Sequence, residues 1–142
     1  MVGARAVWKD GVMGEPLPVL VVDDQAPFRL AAKAVVRQLD EFVVVAEAAS
    51  GAEAITMADD HHPALILMDI NMPDMNGIEA TRRIISGHPD IVIILCSTYE
   101  YEDLPPGAAD SGARAYLNKE RLSTATLRRL WEEREDQPFT SG

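Results

Sequence analysis

The sequence has a single cysteine, Cys96, so it cannot form an internal disulfide. A lone thiol suits a reducing cytoplasm, where we expect the protein to reside. Long apolar runs are missing as well. No segment is long enough to span a membrane, and the N-terminus lacks the basic-then-apolar layout of a signal peptide. Basic side chains are scarce, with 13 against 23 acidic ones and a net charge of −10. That balance argues against direct binding to nucleic acid or to an anionic membrane, both of which need basic surface. There is no glycine-rich phosphate loop, no cysteine pair and no Ser-His-Asp arrangement. His61-His62 and His88 stand at helix ends, before Pro63 and Pro89, with no spacing suited to a metal. Cys96 reads as a small core residue.

What is present is an alternation. The 142 residues suffice for one domain with a real core. Residues 1–16 have scattered glycines and no sustained period, and 136–142 are polar. We expect a flexible leader and a flexible tail around one domain at 17–135. Within it, Pro18 to Val22, Phe42 to Val45, Leu65 to Met68, Ile91 to Leu95 and Ala115 to Asn118 read as strands. Between them come Phe28, Ala31, Ala32, Val35, Val36 and Leu39 at helical spacing, a helix opened by Ser50-Gly51, and one from Ile78 to Ile85 closed by Gly87. A last helix, capped by Ser123 or Thr124, would bury Leu127, Leu130 and Trp131. Strand and helix alternating in this way predict an α/β domain, a parallel sheet covered on both faces.

In such a sheet, chemistry gathers outside the carboxyl ends of the strands. The first strand ends in Asp23-Asp24, the third in Asp69, the fourth in Ser97-Thr98 and the fifth in Lys119. Each has an ordinary reading: Asp24 as the cap of the helix near Ala26, Lys119 as a solvated amine, Ser97 bonded to nearby backbone. Together they make a site. Clustered carboxylates repel, so the cluster binds either protons or a hard cation, and Mg²⁺ or Mn²⁺ suits oxygen donors of this kind. With a phosphoryl oxygen completing the coordination, Asp69 is a candidate nucleophile, and Lys119 and Ser97 can take up the other phosphoryl oxygens.

The stretches "VVDDQAPFR", "LILMDINMPDMNGIEA", "ILCST" and "GARAYLNKE" together resemble the receiver domain of bacterial two-component response regulators, in its single-domain form, over roughly Pro18 to Glu133. The resemblance implies a flavodoxin-like doubly wound sheet of five parallel strands in the order 2-1-3-4-5. It implies that Asp69 is the phospho-acceptor, with Asp24 a direct Mg²⁺ ligand, Asp23 acting mostly through water, and the Asn71 backbone carbonyl contributing. Ser97 matches the switch hydroxyl, Tyr116 the aromatic switch position and Lys119 the family's lysine, while Pro73 and Gly77 match the turn after the acceptor. The partners implied are a sensor histidine kinase or phosphotransfer protein and a downstream protein target. The role is that of a phospho-acceptor with self-dephosphorylation rather than a true enzyme.

Three departures stand out. Glu120 follows Lys119 where proline is commoner, so the peptide before it need not be cis. No output domain follows the last helix, which leaves either a single-domain regulator or a receiver fragment of a DNA-binding one. The segment "YEYEDLPPGAADSG" replaces the family's fourth helix. Pro105-Pro106-Gly107 predicts an irregular Tyr99 to Leu104 and a shortened helix, from about Pro105 to Ser111 at most. Two rivals fit less well. An Mg²⁺-dependent aspartyl phosphohydrolase needs an acid where Asn71 stands. A flavin carrier needs a phosphate loop where "DDQAP" stands. A pseudo-receiver is disfavoured by the complete site.

Overall fold

Two short strands, β1 (Val7–Lys9) and β2 (Val12–Gly14), pair antiparallel within the stretch expected as a leader. The computed structural model describes residues 7–9, 12–136 and 139–141. The remaining strands, β3 (Leu17–Val22), β4 (Phe42–Ala48), β5 (Leu65–Asp69), β6 (Val92–Ser97), β7 (Ala115–Asn118) and β8 (Thr140–Ser141), form one parallel sheet ordered β4-β3-β5-β6-β7-β8. Its first five members follow the expected 2-1-3-4-5 order of a flavodoxin-like fold. The sixth, two residues long, lies in the expected tail and pairs with β7 through Ala115–Thr140 and Tyr116–Ser141.

Among the described residues, four α-helices cover the sheet: α1 (Ala26–Arg37), α2 (Gly51–His61), α3 (Gly77–Gly87) and α4 (Thr124–Glu132). Each central strand is buried on both faces, and its side chains alternate between two cores as the period of a strand requires. Val19, Val21, Leu65, Leu67, Ile94 and Cys96 face α1 and α4, whereas Leu20, Val22, Ile66, Met68, Ile93 and Leu95 face α2 and α3. That double burial explains why these strands read as unbroken apolar runs.

The caps set where helices begin. Ser50 accepts from Glu53 N at the start of α2, Asn76 from Ile78 N at the start of α3, and Ser123 from Thr126 N at the start of α4. The capping role considered for Asp24 is not taken up. Gln25 occupies the N-cap of α1 without a side-chain bond, and Pro27 lies in the first turn.

The segment between β6 and β7 corrects the expectation of a short helix. Tyr101–Asp103 form one 3₁₀ turn inside the stretch expected to be irregular, and Pro105 to Ser111 form no helix. Pro106 disfavours helical backbone at Pro105, and Gly107 takes a φ of 90°. What remains is a run of single turns: Ala108 N to Pro105 O, Asp110 N to Gly107 O, and Ser111 N to Ala108 O. The Arg82 guanidinium donates to Gly107 O at 3.4 Å and ties this run to α3.

Candidate functional site

The carboxyl ends of β3, β5, β6 and β7 do bring the predicted residues to one edge. Asp23 follows β3 and is fully buried, and Asp69 ends β5 with 3% of its surface exposed. Asp24 is half-buried beside them. One carboxylate oxygen from each of the three lies within 4.8 Å of the others. Asp23 and Asp69 sit on neighbouring strands, beside the point where the order of the sheet reverses.

Lys119, just past β7, closes the group. Its Nζ lies 2.6 Å from Asp23 Oδ2 and 3.1 Å from Asp69 Oδ1. The shorter contact is close enough for a strong ion pair but off hydrogen-bond alignment, so this buried oxygen keeps coordinating capacity. Asp23 Oδ1 accepts from Gln25 N at 2.7 Å, and Arg29 Nη1 donates to the Asp23 carbonyl at 2.6 Å. The Phe28 ring lies 4.7 Å from Lys119 Nζ, a cation–π contact on the ammonium's apolar side. The Lys119–Glu120 peptide is trans.

The charges are not balanced. Burial and then the Asp23 charge push the Asp69 carboxyl up to about 6, with Asp24 adding to the rise and Lys119 opposing it. Burial alone would pull Lys119 down, but Asp23 and Asp69 outweigh it and hold the amine above its usual value. Asp69 therefore titrates at higher pH in the folded chain than in the unfolded one. Between pH 3.8 and about 6 the native state binds more protons, so this residue's contribution to stability falls as pH rises. Metal-free Asp69→Asn should gain stability over the unmodified chain across that window, by up to roughly 3 kcal/mol at neutral pH. Urea denaturation at pH 4 and pH 7 checks this, and a pH-independent difference would contradict it.

Ser97 and Tyr116 lie side by side on neighbouring strands β6 and β7, with the Tyr116 ring turned inward. It is 1% exposed. Its hydroxyl lies 2.7 Å from Ser97 Oγ and also reaches the carbonyls of Ser97 and Tyr99. Ser97 Oγ in turn accepts from Tyr99 N at 3.2 Å. The Ser97 hydroxyl thus links the Tyr116 ring to the backbone of the segment that follows β6.

Asn71 lies exposed in the loop between β5 and α3, two residues after Asp69. Gly77 closes that loop, its N donating to Ile70 O at 2.8 Å. Sequence reasoning missed the clamp that holds the loop's middle. The Asp74 carboxylate accepts from Gly51 N and Ala52 N, both at 3.0 Å, at the free N-terminus of α2. These two backbone bonds hold its carboxyl below the usual range. Nothing local in "MPDMNG" points to a helix start more than twenty residues upstream. Cys96 is buried in β6, and burial pushes its thiol well up, as expected of a core residue.

The chain is thus a doubly wound parallel sheet with three aspartates and one lysine gathered at its switch point. The family model for the response regulator receiver domain matches residues 19–130. The transcriptional regulatory protein DegU of Brevibacillus brevis is 36% identical over 111 residues, 78% of this chain and 47% of that one. The chemotaxis protein CheY of Listeria monocytogenes is 36% identical over 103 residues, 72% of this chain and 86% of that protein. Among solved structures, the response regulator domain of Thermotoga maritima CheB superposes with a TM-score of 0.75 at 27% identity, covering 87% of this chain and all of that one. The chain belongs to the response regulator receiver domain family of two-component systems. It spans about half the length of DegU and of several other curated relatives it matches. No helix among the described residues is long and apolar enough to cross a membrane.

Proposed function

We propose that Asp69 accepts a phosphoryl group from the phosphohistidine of a sensor histidine kinase or phosphotransfer protein, and that the chain signals through protein–protein contacts in the cytoplasm. A carboxylate oxygen of Asp69 attacks phosphorus, an O–P bond forms and the P–N bond to the donor imidazole breaks. The departing nitrogen takes up a proton. Lys119, already against Asp69, neutralises one phosphoryl oxygen, and the Ser97 hydroxyl donates to another. The observation that carries this reading is the Lys119 ammonium between Asp23 and Asp69, with a third carboxylate alongside.

The donor set fits a hard divalent cation, since three carboxylates converge and Asp23 Oδ2 keeps coordinating capacity. Asp23, Asp24, Asp69 and the Asn71 carbonyl would hold Mg²⁺ or Mn²⁺. When bound, the ion would supply charge neutralisation for the incoming phosphoryl group. The chain's chemistry is that of a phospho-acceptor, with loss of the group by its own slow hydrolysis. Phosphorylation recruits the Ser97 hydroxyl and so frees Tyr116 OH and Tyr99 N from it.

A second reading, the receiver portion of a longer DNA-binding regulator, is favoured by relatives such as DegU, of which this chain matches 47%. It leaves the chemistry at Asp69 unchanged.

Incubation with acetyl phosphate and Mg²⁺, followed by intact-mass measurement, tests the proposal. One acid-stable, base-labile phosphoryl group should appear, only when the metal is present. Asp69→Asn should abolish the gain and Asp23→Asn should weaken it. Equal labelling of Asp69→Asn would overturn the assignment.

A further inference from the structure

The segment between β6 and β7 leaves a face that other parts of the chain must cover. With no helix there, Tyr101 lies at the margin of the α2–α3 core, 40% exposed even beside Phe139, and β7 would be an edge strand but for the C-terminal segment. An open strand edge presents unpaired backbone groups, and a bare tyrosine shelf presents apolar area. The C-terminal segment covers both. Thr140 and Ser141 add a parallel strand to β7. The Phe139 ring stacks on Tyr101, with centroids 6.1 Å apart and planes inclined by 25°. The Tyr101 hydroxyl donates to the Phe139 carbonyl at 3.3 Å. Phe139, Leu104, Pro105 and Ala108 line a cleft of about 220 Å³ in which the ring fills only one wall.

Tyr101 also neighbours a second ring. It lies 6.4 Å from Tyr116, whose hydroxyl meets Ser97 Oγ. Ser97 Oγ also holds Tyr99 N, two residues before Tyr101. A continuous path of packed groups thus runs from the hydroxyl beside the acidic site, through Tyr116 and the Tyr99–Tyr101 turn, to Phe139. Its last link is weak by construction. Two ladder residues and one ring pair sit at the low end of local stability, where a small change opens a segment.

We propose that Phe139–Ser141 is a built-in occupant of the β7 edge and the Tyr101 shelf, docked in the unphosphorylated protein and released when Ser97 turns to a phosphoryl group on Asp69. The release half rests on the function proposed above; the docking half does not. Turning Ser97 away removes the acceptor of Tyr99 N and a partner of Tyr116 OH. The turn carrying Tyr101 then loosens, and the stack on Phe139 loosens with it. Release bares an edge and an aromatic shelf at the same moment.

Hydrogen exchange read by mass spectrometry on the full chain tests both halves. Without phosphorylation, the amides of Phe139–Ser141 should exchange on the order of tenfold more slowly than in Phe139→Ala. Ser97→Ala, which removes the hydroxyl without any phosphoryl group, should bring the exchange of the segment close to that of Phe139→Ala. Phosphorylation, verified by intact mass on the same sample, should do the same. Phe139→Ala should gain the phosphoryl group as the unmodified chain does. Equal exchange in the unmodified chain and Phe139→Ala overturns the docking. Slow exchange that persists in Ser97→Ala, or in a chain verified as phosphorylated, overturns the coupling and leaves Asp69 as acceptor. Absence of any phosphoryl gain overturns the acceptor reading instead, while the comparisons with Phe139→Ala and Ser97→Ala still decide docking and the Ser97 link.

Discussion

Gly77→Ala should cost about 3 kcal/mol or more and leave much of the chain unfolded near physiological temperature. A Cβ at this position would lie 1.9 Å from the Asp69 carbonyl oxygen and 2.9 Å from its carbon. Both obstacles are backbone, so no side chain can swing aside. The helix would have to lift away from β5, breaking the bond from Gly77 N to Ile70 O and moving Asp69 itself. Gly87, at the far end of the same helix, is the control. A Cβ there meets nothing within 4 Å, so Gly87→Ala should be neutral or stabilising by up to about 1 kcal/mol. Urea denaturation distinguishes the two. A Gly77→Ala midpoint close to that of the unmodified chain would mean that the close approach of α3 to the acceptor strand is wrong.

The second large effect concerns the cation. One oxygen from each of three carboxylates lies within 4.8 Å of the others and a single ammonium touches two of them, so the metal-free domain carries repulsion at this edge. A cation bound only by the folded form stabilises it by mass action, about 2.7 kcal/mol at a hundredfold excess over its dissociation constant. Mg²⁺ should therefore raise the melting temperature, and excess EDTA should reverse it. Asp24→Ala removes one carboxylate from the cluster. It should abolish most of the response to Mg²⁺ and raise the melting temperature in chelator. Asp74→Ala should lower the baseline, because it unties the loop between β5 and α3 from α2, and keep most of the response, because the three carboxylates stay in place. A melting temperature indifferent to millimolar Mg²⁺ in the unmodified chain would contradict the cation site.

The central sheet was legible because its strands are buried on both faces, which leaves a continuous apolar signature bounded by polar ends. The site was legible for a related reason. Once β3, β5, β6 and β7 are assigned, the residues just past them must meet at one edge, and Asp23, Asp24, Asp69, Ser97 and Lys119 do. Other features had no local signature. Whether residues 105–111 form a helix depends on Pro106 acting on Pro105 and on the positive φ of Gly107, where prolines suited to a first helical turn suggest the opposite. The pairing of Thr140–Ser141 with β7 depends on an edge and a tyrosine shelf far back in the sequence, and two polar residues carry no periodicity. The Asp74 clamp and the Phe28–Lys119 contact are likewise tertiary, each joining residues that only the folded sheet brings together. Tyr116 was legible as a position but not as a conformation, since its hydroxyl partners at Ser97 and Tyr99 and its ring neighbour Tyr101 are brought to it only by the folded sheet.

The central claim is that the carboxylate of Asp69, and no other group, takes the phosphoryl group. An acyl phosphate is reduced by borohydride to an alcohol, which marks the modified aspartate permanently as homoserine. The chain should be treated with acetyl phosphate and Mg²⁺, reduced, digested and mapped by mass spectrometry. Homoserine should appear at position 69 alone, and not when Mg²⁺ is withheld. Reduction at position 23 or 24, or labelled chains with position 69 intact, would contradict it.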